Sequence, residues 1–143
     1  MALAPDDSPG LLLWRTTLRW QRAIAAALAP FDLTHVQFVL LASTEWLNRH
    51  GELPNQLAVA TFADTDVKMT SQVVRKLEEK GLLVREPDPA DSRARLLRVT
   101  DQGAGLARRA VEEVERADAE FFRAVPDTAG LVTVLRQLAG GQP

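Results

Sequence analysis

Apolar residues recur at helical spacing along most of the chain. Leu11, Trp14, Leu18, Ala25 and Leu28 follow one another at three, four or seven residues, which predicts a helix over 11–29 that Pro30 stops. The next helix has a defined start. Thr34 is followed three residues later by Gln37, the spacing of a capping box, in which each side chain bonds the other's backbone N–H. Val36, Leu40 and Leu47 form its stripe, widened by Val39 and Ser43, and Gly51 ends it. Asn55 is placed to cap a short helix over 56–63, and Asp64-Thr65-Asp66 reads as a turn. Residues 67–80 form a third helix of this middle region, with Thr70, Val73, Val74 and Leu77 on one side. At ~100° per residue, Lys68, Gln72 and Arg75 point the opposite way, with Ser71 and Lys76 on the rims. Gly81 stops it.

The period then changes. Residues 82–86 and 95–100 are β-prone, and Pro87-Asp88-Pro89-Ala90-Asp91-Ser92 between them reads as a loop too long for a two-residue turn. A long helix over roughly 102–124 follows, its stripe Leu106, Ala110, Val114, Ala117 and Phe121. Pro126-Asp127 restarts a last helix carrying Leu131, Val134, Leu135 and Leu138, ended by Gly140-Gly141. Residues 1–10, with two prolines and two aspartates, read as a flexible arm. The fold class is mainly α with a small β-hairpin, and there is no internal repeat.

Composition narrows the chemistry. The chain has 143 residues, 46% apolar and 25% charged, enough for one domain with a real core. Cysteine is absent, which excludes disulfides, thiolate metal sites and thiol redox switches. The longest apolar run, 23–31, includes Pro30 and falls short of the ~18 residues of a membrane span. Asp6 and Asp7 stand where a secretory signal would be basic, so the expected compartment is the cytoplasm. His35 and His50 lie fifteen residues apart with no nearby carboxylate pattern, so neither metal nor cofactor is expected. Glu112, Glu113 and Glu115 lie on solvated helix faces, and there is no Gly-rich phosphate loop and no Ser-His-Asp signature. An enzyme is not expected.

The net charge of −2 is unevenly spread. Lys68, Arg75, Lys76, Lys80 and Arg85 outnumber Glu78 and Glu79 between 67 and 85, and Arg93, Arg95 and Arg98 face Asp91 alone between 91 and 100. From Asp101 onward acids prevail. A basic middle beside an acidic tail suits a protein that touches phosphate with one surface only. The order helix, helix, turn, helix, hairpin is a helix-turn-helix followed by a wing, whose second helix fits a major groove. Gln72 suits adenine, and Arg75 or Lys68 suits guanine or phosphate.

Four motifs in this order resemble the MarR-type winged-helix transcriptional regulators. Leu33-Thr34-His35-Val36-Gln37-Phe38 is similar to that family's L-T-x-x-Q-F. Met69-Thr70-Ser71-Gln72-Val73 with Leu77-Glu78-Glu79-Lys80-Gly81-Leu82 resembles its recognition helix and exit. Asp91-Ser92-Arg93 resembles the wing's D-x-R, and Leu97-Arg98-Val99-Thr100-Asp101-Gln102-Gly103 the segment that closes the hairpin. The departures are small: Asp64 stands where the family often has Gly, and Val59-Ala60 where Leu-Ala is usual.

The resemblance implies a winged helix-turn-helix over 33–100, with its recognition helix at about 67–80 and its wing at about 83–100. Residues 11–32 and 101–143 would supply helices of a homodimer. Their apolar stripes, poorly covered by residues 33–100 alone, agree. Double-stranded DNA with a pseudo-palindromic operator is the implied partner, and repression the commonest outcome. Lys68, Ser71, Gln72, Arg75 and Lys76 would touch DNA from the recognition helix, and Arg93 and Arg95 from the wing. Asp91 would hold the Arg93 guanidinium in a bidentate pair. Many relatives respond to small aromatic anions; the matching positions are Trp14, Arg15, Leu18, His35 and Phe38, an aromatic wall with a cation and an imidazole. Trp14, Leu18 and Phe38 also sit at core-type positions, and Trp20 and Trp46 read as packing or interface residues. The alternative is a helical protein-interaction module that uses the winged helix as scaffold without binding DNA.

Overall fold

The computed structural model describes residues 2–140; Met1 of the arm and Gly141 of the terminal Gly-Gly lie outside the described residues. Six helices and one hairpin follow in the order α1 (Pro9–Leu28), α2 (His35–Arg49), α3 (Gln56–Ala63), α4 (Val67–Glu79), β1 (Leu83–Asp88), β2 (Asp91–Val99), α5 (Asp101–Phe121) and α6 (Thr128–Leu138). Each helix begins at a side-chain cap. Ser8, Asn55, Asp66, Thr100 and Asp127 each accept from the backbone amide three residues on, and Thr34 with Gln37 completes the capping box at 3.2 and 3.1 Å.

Residues from every helix except α6, and from both strands, meet in one core: Ile24, Leu28, Leu40, Leu41, Val59, Val74, Leu77, Leu83, Leu97, Ala107 and Ala110 are buried. Glu45 of α2 is also buried, with Arg108 of α5 at 3.4 Å and Arg49 at 3.8 Å. That carboxylate ties the helix-turn-helix to α5. Trp20 of α1 donates to Asp118 of α5 at 2.8 Å and ties the first helix to the same scaffold.

Four expectations need correction. The helix after the arm starts at Pro9, not Leu11, and Pro5–Asp7 already form a 3-10 turn. Its buried face carries Ile24 and Leu28, with Trp20 packed beside them, whereas Trp14 and Ala25 are exposed. Trp14 lies ~120° around the helix from Trp20. Apolar residues lie on more than one side of this helix, so spacing alone does not choose the inner face. The strands also run further than their β-prone cores. They reach Asp88 and resume at Asp91, which leaves Pro89-Ala90 as a two-residue tip, with a register shift between Pro87 and Asp88. The irregular step accommodates the prolines that read as a loop. The long helix ends at Phe121 and tightens into a 3-10 turn over Phe122–Ala124.

No residue of α6 is buried. Its Val132, Val134, Leu135 and Leu138 are exposed, as are Leu12, Leu13 and Trp14 of α1. Among the described residues, no single helix is long and apolar enough to cross a membrane.

Candidate nucleic-acid interface

The turn into α4 is made by Asp64, whose φ of 56° is left-handed. Aspartate tolerates that conformation better than most non-glycine residues, so the position does without the usual Gly. Asp66 then caps α4 through Met69 N at 2.8 Å. Thr70, fully buried, donates to Asp66 O at 2.7 Å. With Val74 and Leu77 inside, Lys68, Gln72, Arg75 and Lys76 face solvent, and Ser71 is half-buried at the rim. Lys76 pairs loosely with Glu79 at 3.7 Å. Among the described residues, none forms an ion pair with Lys68 or Arg75. Two free cations and an amide along one helix face are poised for an acidic, hydrogen-bonding partner.

The wing stands beside this helix. Leu82 N donates to Leu77 O at 3.0 Å, and Arg85 of β1 lies 3.6 Å from Glu78 of α4. Arg93 and Arg95, two apart on β2, project to one side and are exposed. With Arg85, Asn55 and Gln56 they line a cleft of about 290 Å³ between the wing and the start of α3. Arg85 Nε is buried there without a hydrogen-bond partner among the described residues. In the sequence Arg85 is only one of five basic residues between 67 and 85. Its place opposite Leu97 follows from hairpin register, which composition does not reveal. Arg98, on the other face, is committed: it donates to Glu86 at 2.7 and 3.3 Å, which lowers the Glu86 pKa and raises its own.

Asp91 acts differently from expectation. Its Oδ1 accepts from the backbone amide of Arg93 at 2.9 Å, and no ion pair forms between the two side chains. Asp88 does the same for Ala90 at 2.9 Å. Two carboxylates thus fold the tip through the backbone and leave the Arg93 guanidinium free.

The MarR family model matches residues 33–94. The uncharacterized HTH-type transcriptional regulator YdcH of Bacillus subtilis (strain 168) is 44% identical over 134 residues, covering 94% of this chain and 91% of that one. The chain belongs to the MarR family. A MarR-family transcriptional regulator from Rhodococcus sp. RHA1 superposes with a TM-score of 0.83 at 30% identity, covering 96% of each chain. CouR from Rhodococcus jostii RHA1, solved bound to p-coumaroyl-CoA, gives 0.81 at 28% identity over 96% of each chain. The repressor CouR bound to a 23-mer DNA duplex gives 0.84 at 26% identity, over 97% of this chain and 99% of that one. This MarR-family chain is therefore a transcriptional regulator with the winged-helix architecture of its relatives.

The five positions proposed for an effector do not line one cavity within the chain. Trp14 is 63% exposed, Phe38 is buried in the core, and His35 is half-buried edge-on to Trp20, ring centroids 5.0 Å apart. Burial lowers the His35 pKa from 6.5, and Asp118 opposes that shift. Only Arg15 and Leu18 share a cleft, of about 470 Å³, with Leu12, Thr16, Arg19 and Arg22 along α1. Arg15 there is paired with Asp6 at 3.4 Å. Trp46 is exposed and stacks on His50 and Phe62 at 3.8 and 5.7 Å.

Proposed function

We propose that the protein is a homodimeric repressor that reads a pseudo-palindromic operator and releases it when a small anion binds. The observation that carries the DNA reading is the solvent-facing set Lys68, Gln72 and Arg75 on α4 beside the uncommitted Arg93 and Arg95 of the wing. Ser71 and Lys76 complete the recognition face. Gln72 has the amide geometry for adenine, and the cations suit guanine or phosphate. Asp91 shapes the tip from which Arg93 enters the minor groove.

The dimer is favoured by α6, which buries nothing, and by the apolar outer face of α1. Two copies related by a two-fold axis place two recognition helices about one DNA turn apart. The effector site is completed by the second copy over the cleft holding Arg15, Leu18, Arg19 and Arg22, whose guanidiniums favour an anion. In a related repressor, CouR, the bound molecule is p-coumaroyl-CoA.

Arg93→Ala tests the wing. Anisotropy titrations across a salt series are expected to show weaker binding and a salt slope reduced by about one unit per lost phosphate contact. Unchanged affinity and slope would remove Arg93 from the interface.

A further inference from the structure

Asn48, in the last turn of α2, makes three hydrogen bonds through one side-chain amide. Its Oδ1 accepts from Val99 N at 2.9 Å, and its Nδ2 donates to Leu97 O at 3.1 Å and Glu52 O at 3.0 Å. The pattern fixes which end is which, since only the oxygen can accept an N–H and only the NH2 can serve two carbonyls. Beside it, Leu97 N donates to Pro54 O at 2.8 Å, and Asn55 bridges Leu96. The edge of β2 turned away from β1 is thus filled by one side chain and one short segment, which stand in for a third strand. A two-stranded ribbon with that edge open has little to fix its angle.

We propose that Asn48 is the positioning residue of the wing: it sets the angle at which β2 presents Arg93 and Arg95 to DNA. This rests on the reading that those two arginines touch DNA. The leverage is large. Arg93 lies four residues beyond Leu97, ~13 Å of strand, so a ~10° tilt at the base moves its backbone by ~2 Å. That displacement breaks a hydrogen bond. The recognition helix is held independently, by Asp66 at its cap and by buried Thr70, Val74 and Leu77. Losing Asn48 therefore misplaces the wing and leaves α4 in position.

The test is a double-mutant cycle on the full chain. Asn48→Ala is made alone and with Arg93→Ala/Arg95→Ala, and each protein is titrated by anisotropy on a duplex from the intergenic DNA beside its own gene. Asn48→Ala is expected to weaken binding ~10-fold in the parent and under ~2-fold when both arginines are already gone. Hydrogen exchange is expected to speed up at the Val99 amide and stay unchanged in α4. Asn48→Asp, which keeps the acceptor for Val99, covers the case in which the alanine variant fails to fold, and its loss is expected to depend on the arginines in the same way. An equal loss in both backgrounds would make Asn48 a general stability residue and overturn the proposal alone. If Arg93→Ala/Arg95→Ala binds like the parent, the wing reading itself fails and the proposal with it.

Discussion

His35 is shifted toward its neutral form where it sits. Its ring meets the edge of Trp20, burial lowers its pKa from 6.5, and the Asp118 carboxylate only partly offsets this. The unfolded chain takes up that proton more readily than the native one. Stability is therefore full above the ordinary histidine pKa and is lost as pH falls through the lowered value. Between pH about 7.5 and about 5.5 the melting temperature is expected to drop, and His35→Gln is expected to flatten the drop; most carboxylates titrate lower. A pH slope identical in the variant would contradict this. The residue's chemistry was legible in the sequence, since an imidazole near a helix start stands out. Its neighbour was not. Trp14 matched by position, but Trp20 takes the contact because the inner face of α1 is set by what α5 offers, namely Asp118 for the indole N–H.

At the level of elements, locally determined features were legible and relational ones were not. Helices α2, α3 and α4 fall within a residue or two of their expected limits, because Thr34, Asn55, Asp66 and the left-handed Asp64 act on backbone three residues away or less. The wing's limits, about 83–100, are legible, but its strands extend past their β-prone cores and Asp91 bonds backbone rather than the guanidinium. Strand length depends on pairing across the hairpin, and an aspartate two residues before an arginine finds the backbone amide before the guanidinium. The junction between wing and α5 carries a further relation. Gly103 packs so closely that an added Cβ would lie 1.8 Å from Leu82 O. The clash is with backbone on a buried turn, and relief requires the start of α5 to separate from the hairpin. Gly103→Ala is expected to lower stability by about 3 kcal/mol, read as a lower denaturation midpoint. A midpoint within error of the parent would mean that this junction yields easily.

The molecule as a whole presents two kinds of unfinished surface. One is polar and basic, on α4 and the wing. The other is apolar, on α6 and the outer face of α1. We read the second as the seam of a dimer. Leu135→Asp with Leu138→Asp is expected to shift sedimentation from dimer to monomer and to cost most of the DNA affinity, since one half-site lacks the partner's contacts. A variant that stays dimeric would move the seam elsewhere. The fold's class and the basic character of the middle region were readable from order and charge. Which apolar side of α1 stays exposed was not, because its apolar residues lie on both the inner and the outer side.

The most direct measurement is an anisotropy titration of the parent protein at ~150 mM salt, on intergenic DNA beside its own gene and on a scrambled duplex of the same length. Sequence-specific regulation requires tight binding to the first and at least ~10³-fold weaker binding to the second. No binding to either, even at low salt, would contradict DNA recognition by this winged helix and favour a protein-docking role for it.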